Sequence, residues 1–267
     1  MMGKSHLMLG AAGWLAIGAP IVEATGHSLS VTEIATGTVV AAGAAMLPDL
    51  DHPHATVSHS LGPVTHVISK VFAKCLGGHR NGSHSLLFAL AVTLGLAWGL
   101  HHFQGPWLAF GVCFFFSSLV LRTLTEADGI ICAALSAIIG ATLITLAPEQ
   151  EWLFMAVGLG CLLHDLGDVL TPEGVPPLWP LTHARLSVPI IGHTGDWREH
   201  GIAALCGLAA CYLLLVSVYQ PLWNHSDAPV KPKPAVTKTV GHAAAKATQE
   251  VQKHAPKIKH HKGNHLF

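Results

Sequence analysis

Seven long apolar runs, separated by short polar connections, dominate this sequence and limit the folds open to it. They lie at positions 7–22, 34–47, 86–100, 107–121, 130–147, 152–163 and 201–219. Hydrophobic residues make up 51% of the 267 residues and charged residues only 11%, which is unusual for a soluble protein. The pattern predicts an all-α, polytopic transmembrane helical bundle with about seven membrane segments. A soluble helical bundle with an apolar interior is the alternative.

The composition changes after residue 223 to Lys, Pro, Ala and His. Eight of the fifteen Lys and Arg residues lie there, and no apolar periodicity follows Lys231-Pro232-Lys233-Pro234. We therefore expect two parts, a membrane-embedded domain at 1–223 and a disordered tail at 224–267. The tail is expected to contact anionic lipid headgroups. Because the net charge of the whole chain is zero, a nucleic-acid partner is not expected.

Alternate threading of the seven runs through a bilayer gathers most ionisable groups on the face that carries the N-terminus. That face receives His6, Asp49, Asp51, His52, His79, Arg80, His84, His164, Asp168, Asp196, Glu199 and His200. The opposite face holds Glu23, His27, Glu33, His101, His102, Glu149 and Glu151, with no repeated ligand spacing. Ionisable groups near a membrane are costly and tend to mark functional cavities, so this convergence favours a site.

Two motifs combine imidazole and carboxylate groups. His164 and Asp168 are four residues apart, so on a helix they project from one side and could bind one cation. The alternative is a hydrogen-bonded pair at a helix C-terminus. Asp49, Asp51 and His52 follow an apolar run, and their two carboxylates could bridge two metal ions. One of these aspartates could instead cap a short helix.

A third motif lies before the run that begins at residue 86. His79 and His84 flank Gly82 at a spacing that fits two ligands on a turn. Arg80, between them, could hold a phosphate or carboxylate with two hydrogen bonds, or could simply anchor the chain at the headgroups. His6 alone is weak support for a site and gains weight from the other groups on its face.

These residue types indicate the kind of metal. Imidazole and carboxylate ligands without thiolate suit zinc, manganese or iron rather than calcium, and zinc is the usual choice for hydrolysis. The predicted site therefore holds one to three divalent ions, with zinc the expected metal. Its candidate ligands are His6, Asp49, Asp51, His79, His84, His164 and Asp168. The sequence has no GxSxG, Walker, GxGxxG or HExxH motif, so serine-nucleophile and nucleotide-dependent mechanisms lack support.

Taken in order, these motifs resemble the YdjM family of membrane-bound metal-dependent hydrolases. The resemblance covers roughly residues 3–200 and rests on Ser5-His6, Leu47 through His52, His79-Arg80, His84-Ser85-Leu86, His164 with Asp168, Thr171-Pro172 and positions 174–180. That family is distantly similar to zinc-dependent phospholipase C, which carries a His-x-x-x-Asp pair that His164 and Asp168 match. This chain lacks the N-terminal tryptophan whose amine helps to bind metal in the phospholipases, and His6 is the residue that could take that part.

The resemblance implies a bacterial inner-membrane hydrolase that cleaves a phosphoester of a lipid or lipid-linked substrate by a metal-activated water. Arg80 would then bind the anionic group of the substrate. His52, His193 and Glu199 are the candidates for supporting the ligands or transferring protons. Two alternatives remain, a non-catalytic metal-binding or ion-transporting membrane protein, and a structural membrane protein whose tail recruits other proteins.

Overall fold

The computed structural model describes residues 1–103, 105–147 and 150–224. Within these residues the chain forms helices and turns, with one isolated antiparallel bridge between Val175 and Leu186. The prediction of an all-α fold is confirmed. Glu149 and the predicted tail after Asn224 lie outside the described residues.

Nine α-helices follow one another along the described chain. They are α1 (Gly3–Gly13), α2 (Ala19–Ala24), α3 (Val31–Ala44), α4 (Pro63–Cys75), α5 (Leu86–His102), α6 (Trp107–Thr125), α7 (Gly129–Leu146), α8 (Leu153–Val169) and α9 (Trp197–Asn224). A π-helical turn, Trp14–Gly18, joins α1 to α2, so that the two form one continuous helix. Short 3-10 turns lie at Pro48–Asp51, Thr56–His59 and Gly82–His84.

Among the described residues, five helices are long and apolar enough to cross a membrane. They are Gly3–Ala24, Val31–Asp51, Trp107–Thr125, Gly129–Leu146 and Trp197–Tyr219. The other two predicted segments correspond to α5 and α8, which have 17 residues each. Since about 20 residues span a hydrocarbon core, the number of crossings reaches seven only if these two shorter helices also cross. The polytopic character is confirmed, and seven is an approximate count.

Small residues let α1 and α8 approach the central helix α3 closely. A Cβ atom placed on Gly10 would lie 2.6 Å from the carbonyl oxygen of Ala41, and one on Gly160 would lie 2.5 Å from the same oxygen. Such contacts are typical of helices that pack through glycine in lipid. His6 is one turn before Gly10 and His164 one turn after Gly160, so this packing brings both imidazoles to one end of the bundle.

Helix α4 was not predicted from the sequence. It packs on the turns Pro48–Asp51 and Thr56–His59, at the end of the bundle that also holds the loop between α8 and α9. That loop folds back onto the end of α8, where the backbone N–H of Val188 donates to the carbonyl of Val169 at 2.7 Å. Polar residues interrupt the apolar residues of α4, so this helix does not form a long apolar run in the sequence.

Candidate metal centre

Six of the predicted ligands meet at one end of the bundle. They arrive on α1, on the turn after α3, on the loop and turn before α5, and on α8. Three overlapping groups have ligand atoms within 4.8 Å of one another, namely His6 with Asp49 and His164, Asp49 with His79 and His84, and His84 with His164 and Asp168. These His and Asp groups, most of them buried, could hold a metal ion.

The two innermost imidazoles face each other through their Nε2 atoms. His84 Nε2 and His164 Nε2 lie 3.1 Å apart, and both side chains are fully buried. The Nδ1 atom of His164 lies 2.7 Å from the carbonyl oxygen of Ala45, which can only accept, so Nδ1 carries the proton and Nε2 has a free lone pair. Two imidazole ligands on one tetrahedral cation stand about 3.3 Å apart, close to this separation.

Two carboxylates complete the surroundings of this nitrogen pair. Asp49 Oδ1 is 3.8 Å from Nε2 of His84 and 3.8 Å from Nε2 of His164. Asp168 Oδ2 lies 3.6 Å and 3.7 Å from the same two atoms. Each of these oxygens therefore lies no more than 3.8 Å from both nitrogens, and mixed nitrogen and oxygen donors are expected for a zinc-like cation.

His6 adds an imidazole without a hydrogen bond. Its ring stacks on that of His164 with centroids 3.8 Å apart, and its Nε2 lies 3.3 Å from Asp168 Oδ1. That contact does not have hydrogen-bond geometry, and neither ring nitrogen of His6 has a hydrogen-bond partner among the described residues. A buried polar atom left unpaired costs about 1–3 kcal/mol, so the arrangement fits a bound cation or water.

Asp51 lies behind two of the imidazoles instead of among the three ligand groups. Its Oδ1 is 2.8 Å from Nδ1 of His79, and its Oδ2 is 3.5 Å from Nδ1 of His84. Oδ2 also accepts hydrogen bonds from the hydroxyl of Ser83 and the backbone N–H of Arg80. A carboxylate in this position fixes the orientation of imidazole ligands and makes their other nitrogens more basic.

The electrostatic field at the cluster favours positive charge. Burial on its own would lower the pKa of His84, but the hydrogen bond to Asp51 and the charges of Asp49, Asp51 and Asp168 raise it above its ordinary value. The same carboxylates would attract a divalent ion to the point between the two Nε2 atoms.

Arg80 lies buried beside the cluster in an uncommon backbone conformation. Its φ is +57°, in the left-handed region that non-glycine residues rarely adopt. Its guanidinium donates to Thr171 Oγ1 at 3.1 Å and to Asp168 Oδ1 at 3.4 Å, while its Nε has no partner among the described residues. The geometry thus holds a cationic group next to the carboxylate of Asp168.

The remaining predicted residues lie farther out. The side chain of His79 is 37% exposed, and the ring of half-buried His52 has its centroid 4.9 Å from that of His79. Glu199 is buried at the start of α9, where it accepts a hydrogen bond from the backbone N–H of Met2 and so ties α9 to the start of α1. His193 is exposed in the loop before α9.

Three polar residues at the cluster escaped the sequence reasoning. Ser83 and Thr171 bind Asp51 and Arg80, and both lie within or beside motifs that had been recognised. Asp165 is buried on α8 between His164 and Asp168, and its Oδ1 has no hydrogen-bond partner among the described residues. Its position next to His164 was a signal that could have been used.

The sequence matches a known protein family. The family described as YdjM inner membrane protein matches residues 1–224. The chain is 29% identical over 148 residues to the inner membrane proteins YdjM of Escherichia coli (strain K12) and of Shigella flexneri, covering 55% of this chain and 50% of each relative. It thus spans about half the length of the curated relatives it matches, and no solved structure matches it. The chain therefore belongs to the YdjM family and is an integral inner membrane protein.

Proposed function

We propose that this protein is a membrane-bound metal-dependent hydrolase that cleaves a phosphoester of a lipid or lipid-linked substrate. The observation that carries the proposal is the pair of buried Nε2 atoms of His84 and His164, 3.1 Å apart and flanked by the carboxylates of Asp49 and Asp168. Such a donor set, with the 37% exposed side chain of His79 at its edge, is typical of hydrolytic metal sites.

The proposed ligands of one to three divalent ions, with zinc as the first choice, are His6, Asp49, His79, His84, His164 and Asp168. Asp51, predicted as a ligand, would orient His79 and His84 from behind. When bound, a divalent cation would supply a water of lowered pKa and would stabilise negative charge on the phosphoryl oxygens.

The protein's own side chains would bind and orient the substrate. Arg80 would hold its anionic group, because the guanidinium is fixed by Thr171 and Asp168 and still has its Nε free of partners among the described residues. His52, next to His79 at the outer edge, could move a proton between the site and solvent. Glu199 would act by holding the start of α1, and thereby His6, in place. His193 stays a prediction.

The position of the cluster supports a lipid substrate. His6 is near the start of α1, Asp49 follows α3, His84 precedes α5, and Asp168 is near the end of α8. All four lie at one end of the bundle, where membrane helices emerge at headgroup level and where the phosphoester of a lipid would be. Ligands distributed along the depth of the bundle would instead favour the alternative, an ion transporter.

The test is a hydrolysis assay with the full chain purified and reconstituted in lipid vesicles. Release of phosphate or headgroup from a panel of phospholipids and lipid pyrophosphates should require added divalent metal and should be abolished in His164→Ala and in Asp168→Ala. The control His27→Ala removes an exposed imidazole at the opposite end of the bundle and should leave the activity unchanged. Full activity in both cluster variants would contradict the proposal.

A further inference from the structure

Helix α4 exposes a stripe of valines and buries two small polar residues against the protein. Val64, Val67 and Val71 are 61%, 60% and 54% exposed. Thr65 and Ser69, on the opposite side of the helix, are completely buried. A surface helix of a soluble protein has the reverse arrangement, with its apolar stripe against the core and its polar face in water. The outward face of α4 is therefore suited to an apolar environment and not to water.

Two lysines lie on the same helix next to its apolar face. Lys70 and Lys74 are both exposed and are one helical turn apart, adjacent to Val67 and Val71. An aliphatic face with lysines beside it is typical of helices that lie in the plane of a membrane interface. The lysine ammonium groups would lie at the level of anionic headgroups while the valines enter the acyl region.

A second segment at the same end of the bundle exposes aliphatic side chains. In the loop between α8 and α9, Leu181 is 89% exposed and Val188 is 50% exposed. The same loop closes over the turn before α5, because a Cβ atom on Gly82 would lie 2.9 Å from the ring of Trp179. Both α4 and this loop thus border the metal cluster. Both also expose apolar side chains near exposed lysines or arginines.

We propose that α4 lies flat in the interface of one membrane leaflet, with its valines in the acyl region and with Lys70 and Lys74 bound to anionic phospholipid headgroups. Because α4 packs on the turn Pro48–Asp51, this placement sets the depth of Asp49 and of the cluster around it. The metal centre is then held at the level of lipid phosphates and takes its substrate sideways from the leaflet. Only this last consequence rests on the proposed hydrolase function.

The placement is tested by spin labels on the full chain in vesicles of phosphatidylethanolamine and phosphatidylglycerol. The six native cysteines are replaced, and single cysteines are introduced by Val67→Cys and, as the matched control on the same helix, Lys74→Cys. Collisions with oxygen should dominate at position 67, and collisions with a water-soluble nickel chelate at position 74. Equal access of the nickel chelate to both positions would overturn the proposal, as would protection of both positions from both reagents.

A photocrosslinker at position 67 gives the same answer if the cysteine-free chain does not fold. Val67→p-benzoylphenylalanine should crosslink to phospholipid on illumination. A crosslink to a second protein chain, or none, would count against an interfacial α4.

The functional consequence has a separate readout. Val67→Asp combined with Val71→Asp should lower hydrolysis of a vesicle-borne lipid by roughly tenfold or more, because two aliphatic contacts with the acyl region are lost. Hydrolysis of a water-soluble short-chain phosphoester and the metal content should stay as in the unmodified chain. Equal losses on both substrates would overturn lateral delivery. Absence of activity from the unmodified chain would refute the hydrolase proposal and leave the spin-label result standing.

Discussion

At the end of the bundle opposite the metal cluster, imidazoles and carboxylates find partners within a turn of their own position. His27 contacts Thr25 at 3.3 Å, and Glu33 accepts the hydroxyl of Ser30 at 2.6 Å in a capping box. At the cluster end, His164 contacts Ala45 across 119 residues of sequence and His84 across 80. His6, His84, His164 and Asp168 are buried at the cluster end, whereas at the opposite end Glu33 is buried and His27 is exposed.

This difference separates local helix capping from a site assembled by the fold. A capping residue improves one helix at little cost, because its hydrogen-bond partners belong to its own turn. Buried imidazoles and carboxylates must be desolvated and must be positioned by several helices, which is costly unless they gain something on binding a ligand. We therefore expect substitutions at the two ends to differ in kind, with metal binding affected at one end and helix stability at the other.

The largest effect is expected for Asp168→Ala compared with Glu33→Ala. Removal of Asp168 takes a carboxylate from His6, His84 and Arg80 at once, so we expect the metal affinity to fall by more than the roughly 100-fold that loss of a carboxylate behind an imidazole ligand can cause. Loss of the Glu33 cap should cost about 1 kcal/mol of stability and leave the metal content unchanged. Elemental analysis measures the metal content of both purified variants, and thermal unfolding in detergent measures the loss of stability. Metal retained in Asp168→Ala, or lost in Glu33→Ala, would remove the distinction between the two ends.

A smaller loss is expected for Asp51→Asn, because Asp51 orients imidazoles and is not placed among the ligand groups. Metal affinity should fall by about 10- to 100-fold, as for other carboxylates behind imidazole ligands. Competition with a chelator of known affinity measures the change. Asp128→Asn is the control, since Asp128 caps α7 by accepting the N–H groups of Ile130 and Ile131. An equal fall in both variants would show that loss of a carboxylate, wherever it lies, explains the effect.

Arg80→Lys should retain the metal and lose hydrolysis. A lysine carries its donors on one nitrogen and lacks the planar fork that contacts Thr171 and Asp168 through two separate nitrogens, so we expect activity to drop by roughly tenfold or more. Arg198→Lys is the matched control on an exposed arginine, whose guanidinium donates to the carbonyl of Ile190, and should change activity little. Kinetic analysis of both variants checks the expectation. Full activity of Arg80→Lys would indicate that Arg80 has a structural role and does not bind the substrate.

The smallest effect is expected for Glu199→Gln. The side chain accepts backbone N–H groups of Met2 and Gly195, so loss of its charge should lower the free energy of unfolding by about 1 kcal/mol. Thermal unfolding in detergent measures this loss, and the metal content should remain that of the unmodified chain. A drop in metal content without a loss of stability would indicate that Glu199 takes part in metal binding.

The sequence predicted those features that depend on spacing and composition. The apolar runs located the membrane helices, and the four-residue interval correctly put His164 and Asp168 one turn apart on α8. Alternate threading also drew the scattered motifs to one face, because each crossing reverses the side on which a helix ends.

Other features depend on packing between segments that are distant in the sequence. Asp51 carries the same side chain as Asp49, yet only the fold decides that one faces the Nε2 pair and the other lies behind His79. The carbonyl of Ala45 determines which nitrogen of His164 carries the proton, but nothing about an alanine in an apolar run marks it as part of a site. Helix α4 was overlooked because its buried face is polar, the reverse of the pattern that identifies a soluble surface helix.

X-ray absorption spectroscopy of the zinc-loaded, purified chain tests the metal site most directly. We predict a first shell of nitrogen and oxygen with scattering from at least two imidazole rings, and a weaker imidazole signal in the double variant His84→Ala with His164→Ala. A shell of water oxygens alone, or an imidazole signal unchanged in the double variant, would contradict the site described here.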